Sequence, residues 1–316
     1  MGHRKHSAPR HGSLAYLPRG RAADHYPKIR TWPEIQSEKP TLLGYPGYKA
    51  GTLHVITVDD RAKTPNFGKP LFNLSSVVSL PEAEVTGMRL YAHEDGHDRA
   101  ISDVKAQAAT SGELPVDKAS RVAALVSSVP AEAGLSQKKP MVMEVGVGGG
   151  DLKGQVEYVR GLLGKKVKFA DVFKAGMRVD VLGITKGKGY EGPVTRMGIK
   201  RKQHKSRKSV RAVGVIGPWH PAAVMYTVAR AGQMGFHQRT ETGKRILMTG
   251  NAKDNPITPP GGFEHFGEVR GDYAVLAGSL PGPARRFVVV RIKARGVQKS
   301  QNPPQVIEVS TKVRRT

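Results

Sequence analysis

The densest group of chemically active side chains in the sequence lies between residues 196 and 211. This run contains eight lysines and arginines, one histidine and no acid. Like charges at this spacing repel one another in water, whereas nucleic-acid phosphates would neutralise them and release counterions. A solvated surface normally carries both signs of charge. The run therefore predicts a phosphate-binding segment.

One of the two tryptophans follows this run, in the sequence Gly217-Pro218-Trp219-His220-Pro221. Proline and glycine on both sides favour a rigid turn over a regular strand. An exposed indole and imidazole could stack on unpaired bases of folded RNA. Burial of Trp219 in a core is the alternative. Acids are absent from residues 231–240 as well, and the glycines there allow close approach of backbone to phosphate.

One stretch matches the H-E-x-x-H pattern of zinc peptidases, His93-Glu94-Asp95-Gly96-His97. That chemistry needs both imidazoles on one face of a helix. Asp95-Gly96 instead predicts a tight turn directly after a strand. His3, His6 and His11 could bind a metal ion, but a basic arm is the better interpretation. We expect no metal site.

Two glycine-rich stretches resemble nucleotide-binding loops only loosely. Residues 183–189 lack the spacing and the final Ser or Thr of a Walker loop, and Asp151 replaces the third glycine of a dinucleotide loop. No Ser, His and Asp constellation stands out, and the basic half of the chain has no pair of carboxylates. We expect neither a cofactor nor catalytic residues.

Composition favours a polyanionic partner. The 316 residues include 51 Lys and Arg against 26 Asp and Glu, a net charge of +25. Nucleic acid or an anionic membrane normally balances such an excess. No apolar run approaches the roughly 18 residues of a spanning helix, and Gly2 lies in an incomplete myristoylation signal, so nucleic acid is favoured. The absence of cysteine excludes disulfide scaffolds and thiolate zinc sites.

The positive charge is unevenly distributed. Residues 192–240 contain 10 Lys and Arg and no acid, whereas residues 81–150 contain 7 basic and 10 acidic residues. We expect the slightly acidic segment to face solvent or other proteins, and the basic segments to reach into the polyanion.

Predicted strands lie towards both ends of the chain and predicted helices lie in the middle. Apolar residues at helical spacing predict helices over 117–129 and 152–163, the second with Asp151 as N-cap. This order favours a mainly β (α+β) fold, a barrel or sandwich with an inserted α-containing segment. Strands are predicted at 52–58, 71–80, 88–92, 178–185 and 286–292.

The sequence resembles the family of the third protein of the large ribosomal subunit, in its archaeal and eukaryotic form. Each shared motif is short and rich in glycine, and their order and spacing over most of the chain carry the resemblance. The motifs lie at residues 10–19, 47–51, 138–140, 183–189, 217–221, 230–235, 261–263, 267–269 and 278–283.

The resemblance implies a translation-factor-like β-barrel with an inserted α/β domain and long basic extensions. It also implies that Trp219 lies at the tip of an extension that approaches the peptidyl transferase centre, and that 196–211 line RNA near the path of incoming aminoacyl-tRNA. Family members act early in subunit assembly. The expected domains are a basic N-terminal arm at 1–40, a barrel body at 41–80, 178–191 and 241–316, an inserted α/β domain at 81–177, and a basic RNA-penetrating finger at 192–240.

We therefore expect a structural constituent of the large ribosomal subunit in the cytoplasm, not an enzyme. It would bind large-subunit rRNA, support assembly and buttress the peptidyl transferase centre. Its other partners would be neighbouring large-subunit proteins, with tRNA contacted only indirectly and no membrane. An RNA-modifying enzyme, an assembly factor and a DNA-compacting protein are the alternatives. The residues expected to contact rRNA are Arg10, Arg19, Lys49, Lys186, Lys188, Arg196, Lys200, Arg201, Lys202, His204, Lys205, Arg207, Lys208, Arg211, Trp219, His220, Arg230, Gln233, His237, Arg239, Arg285 and Arg286.

Overall fold

A computed structural model describes residues 10–106, 115–206, 208–296 and 302–311. The strands are β1 (Thr41–Leu42), β2 (Gly44–Val58), β3 (Pro70–Ser79), β4 (Ala83–Glu94), β5 (His97–Lys105), β6 (Arg121–Ser128), β7 (Met141–Gly148), β8 (Lys166–Val167), β9 (Arg178–Ile184), β10 (Gly187–Glu191), β11 (Gly232–Gly235), β12 (Gln238–Asn251), β13 (Asp272–Ala277), β14 (Phe287–Ile292) and β15 (Val306–Ser310). The helices are α1 (Leu152–Leu162), α2 (Phe169–Val172) and α3 (Pro193–Met197), with 3₁₀ turns at Leu14–Tyr16, Val116–Lys118 and Pro130–Ala133.

Strands dominate these elements, so the prediction of a mainly β fold is confirmed. The chain divides into two compact units. Unit 1 comprises residues 1–24 and 185–238, and unit 2 comprises residues 25–184 and 239–316. Among the described residues, every helix is too short or too polar to cross a bilayer.

The larger sheet of unit 2 follows the order β14-β9-β12-β13-β3-β2-β15. Strand β14 also pairs with β2, so six of the seven strands form a ring of hydrogen-bonded neighbours, and β15 extends from β2. Val288 of β14 lies opposite Gly47 of β2 on one side and Gly183 of β9 on the other. All six side chains of β14 are buried, because its apolar residues alternate between two core clusters, one on each face of the strand.

The smaller sheet of unit 2 is antiparallel, in the order β1-β7-β6-β4-β5 with β8 paired to β4. The expected turn at Asp95-Gly96 is confirmed: both residues have positive φ, at 51° and 75°, and they join β4 to β5. Left-handed conformations at both central positions characterise the tight turns of hairpins. The H-E-x-x-H match therefore lies on a hairpin and not on a helix.

One of the two predicted helices is wrong. Residues 117–129 contain strand β6, which pairs with β4 on one side and β7 on the other. Both faces of β6 are largely buried, so its apolar residues run almost continuously and imitate helical spacing. The other prediction is confirmed as α1, which buries Val156 and Val159. Asp151 occupies its N-cap position without a side-chain capping bond.

A continuous core joins the two sheets of unit 2. Tyr45 is fully buried within it, and its hydroxyl lies 2.9 Å from the carbonyl oxygens of both Pro81 and Val167. Burial raises the pKa of this phenol, so Tyr45 remains a neutral hydrogen-bond donor. Trp32 packs against the same core, on the bare backbones of Gly44 and Gly146.

Unit 1 is built around the antiparallel pair β10 and β11. Helix α3 begins with Pro193 in its first turn and ends at Gly198, whose φ is 69°. Proline suits the start of a helix because it has no N–H to satisfy, and glycine suits the left-handed position at its end. Between Gly198 and β11, the described residues form turns and bends.

Candidate nucleic-acid interface

Unit 1 carries more than half of the net charge of the chain in about a quarter of its residues. Its sequence contains sixteen lysines and arginines and two acids, Asp24 and Glu191. Two carboxylates cannot neutralise sixteen cations. The charge balance of this unit therefore depends on an external anion or on solvent.

The predicted phosphate-binding run lies on a turn-rich, solvent-exposed segment. A backbone bond from Lys202 N–H to Val210 O, 3.1 Å long, closes a loop within the run. Arg211 donates to Thr195 Oγ1 at 3.0 Å, and Lys202 is half-buried. Arg207 lies outside the described residues. The exposed members of the run are Lys200, Arg201, His204, Lys205, Lys208 and Arg211.

Arg19 and Arg196 lie together although 177 residues separate them in sequence. Arg19 Nη1 donates to the carbonyl oxygen of Arg196 at 3.1 Å. The guanidinium of Arg196 donates in turn to the carbonyl oxygens of Gln233, at 3.0 Å, and Arg230, at 3.2 Å. Gly232 makes room for it, because a Cβ there would lie 3.0 Å from Arg196 Cζ.

The charges of this pair are incompletely compensated. Burial and then the charge of Arg19 lower the pKa of Arg196, since both disfavour its cationic form. Arg19 Nε is buried and has no hydrogen-bond partner within the described part of the chain. Backbone carbonyls supply partial negative charge only, so a full negative charge nearby would stabilise both guanidinium groups.

His237 and the residue before it connect residues 20–22 to the end of β11. Its Nδ1 lies 2.8 Å from the carbonyl oxygen of Gly20, and Ala22 N–H donates to Phe236 O at 2.8 Å. The imidazole is buried, and its backbone N–H donates to Thr185 Oγ1. The predicted RNA contact of His237 thus falls on a ring that has a partner in the protein and little surface to offer a base.

The segment around Trp219 is exposed. Trp219 is 88% accessible to solvent, which excludes the buried alternative, and His220 lies beside it with ring centroids 6.4 Å apart. Sequence reasoning missed five further large side chains of this segment that are exposed, namely Val215, Ile216, Val224, Met225 and Tyr226. Their position in a stretch without acidic residues was the only sequence feature that could have indicated them.

The predicted contacts in unit 2 are partly engaged within the protein. Lys49 donates to the carbonyl oxygens of Leu280, at 2.7 Å, and Gly282, at 2.9 Å. Arg286 Nη1 lies 3.3 Å from His25 Nδ1, and burial lowers the pKa of this arginine. The remaining two, Arg239 and Arg285, are half-buried and exposed, respectively.

Most of the other predicted contacts of unit 1 lie in or next to β10 and β11 in sequence. Gln233 is half-buried, and its Nε2 donates to Gly235 O at 3.0 Å. Sequence reasoning missed Tyr190 of β10, which is 80% exposed. Among the described residues, no group of three or more potential ligands could hold a metal ion. Of the predicted contacts not yet described, Arg10, Lys186, Lys188 and Arg230 are exposed.

The family model and the related proteins that match this sequence all point to the same protein family. The chain matches the family model described as ribosomal protein L3 over residues 1–115 and 113–313. A relative from Caldivirga maquilingensis, named large ribosomal subunit protein uL3, is 43% identical over 91% of this chain and 90% of its own. Relatives of the same name from Methanococcus maripaludis and Pyrobaculum aerophilum are 40% and 41% identical, covering 98% and 97% of this chain and 98% of each relative.

Proposed function

Because the chain belongs to the ribosomal protein L3 family, of the archaeal type, we propose that it binds large-subunit rRNA as a built-in part of the large ribosomal subunit. Members of this family are structural components of the cytoplasmic ribosome and are not enzymes. Membership decides against the RNA-modifying enzyme and the DNA-compacting protein that the sequence left open. The protein supports subunit assembly and buttresses the peptidyl transferase centre through its basic extension.

The observation that carries rRNA binding is the charge of unit 1, sixteen cations against two acids, gathered in one compact unit. Self-repulsion at this density opposes compaction unless phosphates neutralise it. The uncompensated pair of Arg19 and Arg196 supports the same conclusion at the level of single side chains. The exposed cations of the 196–211 run contact phosphates and set the affinity for RNA.

Trp219 and His220 have a different role at the tip of the extension. Their exposed rings stack on or pack against folded RNA and contribute more to positioning than to affinity. The tip supports the peptidyl transferase centre without taking part in its chemistry, so tRNA is affected only indirectly. Neighbouring ribosomal proteins are the expected partners of the slightly acidic segment 81–150.

The ring of six paired strands in unit 2, which includes β9 but not β10, supports a translation-factor-like barrel body, which we propose at 41–80, 178–191 and 241–316. The smaller sheet and α1 support an inserted domain at 81–177, with more strand and less helix than an α/β domain implies. Residues 1–40 form the arm and 192–240 the RNA-penetrating finger. The unit boundaries at residues 24, 185 and 238 suggest that the arm ends earlier, and the finger begins earlier, than the sequence indicates.

Sedimentation of a cell lysate through a sucrose gradient tests this function. After a wash in about 0.5–1 M monovalent salt, the protein is expected to co-migrate with the large subunit, because only loosely held cations dissociate at that ionic strength. A protein that remains at the top of the gradient, or that the wash removes, would be a transient assembly factor, and the proposal would be wrong.

A further inference from the structure

Tyr190 is an exposed aromatic residue in the paired strands of unit 1. Its side chain is 80% accessible, although it belongs to a hydrogen-bonded strand, β10. The register of β10 and β11 shifts between Gly187 and Tyr190, and Gly189 has a φ of 70°. A glycine bulge of this kind bends a strand and re-aims the next side chain. The local backbone thus presents the phenol ring to solvent.

Two lysines precede this ring in sequence, and one arginine lies near it in space. Lys186 and Lys188 are exposed on the same short stretch of chain. Burial and Arg19 lower the pKa of Arg196, and Tyr190 raises it by a smaller amount. The phenol therefore lies close enough to the guanidinium to influence it. Glu191 is the nearest acid in sequence. It pairs with Gly232 in the next register position, so its side chain leaves the opposite face of the strand.

A single exposed tyrosine on a protein surface needs no explanation by itself. The position of Tyr190 distinguishes it, because an exposed flat ring lies near cations while Glu191, the nearest acid in sequence, leaves the other face of the strand. Protein surfaces that bind single-stranded RNA share this combination, with aromatic rings on β-strands that stack bases and nearby cations that hold phosphates. A protein partner matched to this surface would have to be acidic and would gain less from the flat ring.

We propose that Tyr190 is a stacking platform for one unpaired nucleobase of large-subunit rRNA. Lys186, Lys188 and Arg196 supply positive charge to the phosphates on either side of that base. The site deepens the proposed function and rests on it. It adds a base contact just before the basic segment 192–240 in sequence, separate from the exposed residue Trp219.

The test measures binding of the full chain to transcribed large-subunit rRNA at several salt concentrations. Tyr190→Ala is expected to weaken binding by roughly 5- to 150-fold, the range for loss of one base–aromatic stack. The slope of log affinity against log salt should not change, because an uncharged ring releases no counterions. Tyr190→Phe should bind within about twofold of the wild type, since it keeps the stacking ring. Base-specific chemical probing should find one nucleotide that is protected by wild type and Tyr190→Phe and reactive with Tyr190→Ala.

Phe72→Ala is the matched control, because Phe72 is an exposed aromatic residue on β3 of unit 2, and it should leave affinity unchanged. Equal affinity and equal protection for Tyr190→Ala and wild type would overturn the stacking site alone. The same would follow if Tyr190→Ala bound naked rRNA normally but entered subunits poorly, since a protein would then cover the ring. Failure of wild type itself to bind rRNA would overturn the proposed function instead. The circular dichroism spectrum of Tyr190→Ala should match that of the wild type, which would show that the variant is folded. Tyr190→Trp is a second variant that keeps a stacking ring.

Discussion

Asp180 and Arg291 form an ion pair inside unit 2, with Oδ2 of the aspartate 3.0 Å from Nη2 of the arginine. Their side chains are only 2% and 8% exposed. Asp180 also accepts hydrogen bonds from the backbone N–H groups of Gly243 and Ala294, and Arg291 donates to Thr31 O at 2.7 Å. The pair therefore connects β9 and β14 to β12 at Gly243 and to the chain before β1.

Asp180→Asn should destabilise the protein by about 3–5 kcal/mol, because it leaves the charge of Arg291 buried without a counter-charge. Urea unfolding of purified protein followed by circular dichroism measures the effect. Glu132→Gln is the matched control, since it removes one carboxylate from an exposed pair with Lys166 and should cost no more than about 1 kcal/mol. Similar unfolding midpoints for the two variants would show that the buried pair does not stabilise the fold.

Replacing Lys200, Arg201, Lys205 and Lys208 with glutamine should reduce the salt dependence of rRNA binding. Each lost phosphate contact lowers the slope of log affinity against log salt by roughly 0.7–0.9. Filter binding over a series of salt concentrations measures the slope.

A second variant controls for the loss of four charges. It replaces Lys105, Lys118, Lys153 and Lys165 with glutamine, all exposed in the segment 81–177 and outside the predicted contacts. Its slope should stay close to that of the wild type. If both variants lose the same slope, net charge and not the 196–211 run determines binding.

Trp219→Ala should affect the activity of the ribosome more than the affinity of the protein for rRNA. Binding to rRNA should stay within a few fold of wild type, at or below the lower end of the loss expected for one base–aromatic stack, because phosphate contacts dominate affinity. Peptide-bond formation or tRNA accommodation should be impaired in ribosomes that contain only the variant, since the exposed indole at the tip is lost. Single-turnover peptidyl transfer with purified ribosomes measures this effect. Unchanged rates would show that the tip has no role at the peptidyl transferase centre.

Local patterns in the sequence predicted those elements whose structure depends on local chemistry. Helix α1 has apolar residues at helical spacing, and the turn between β4 and β5 has Asp-Gly, which tolerates positive φ. Strand β6 could not be identified in this way. Its partners β4 and β7 cover both of its edges, and burial on both faces removes the alternation that distinguishes a strand from a helix.

The sequence predicted those site residues whose exposure follows from local charge. It did not predict the roles of residues that depend on contacts with distant parts of the chain. The exposed basic run follows from its composition. The roles of His237 and Lys49 depend on carbonyl oxygens 217 and more than 230 residues away, at Gly20, Leu280 and Gly282. No local sequence pattern predicts hydrogen-bond partners so distant in the chain. Tyr190 was missed because its exposure depends on a bulge in β10, which its sequence does not specify.

Gly146→Ala should destabilise unit 2 through Trp32. A Cβ at residue 146 would lie 2.6 Å from Trp32 Cγ, so the indole must move from its place on the core, at a cost of about 1–3 kcal/mol. Gly154→Ala in α1 is the control: its Cβ meets no atom within 4 Å, and it should stabilise the protein by about 0.4–1 kcal/mol. Thermal unfolding followed by tryptophan fluorescence measures both changes, and the emission of Trp32 should shift to longer wavelength only in Gly146→Ala. Equal stability of the two variants would mean that the indole does not rest on the backbone of Gly146.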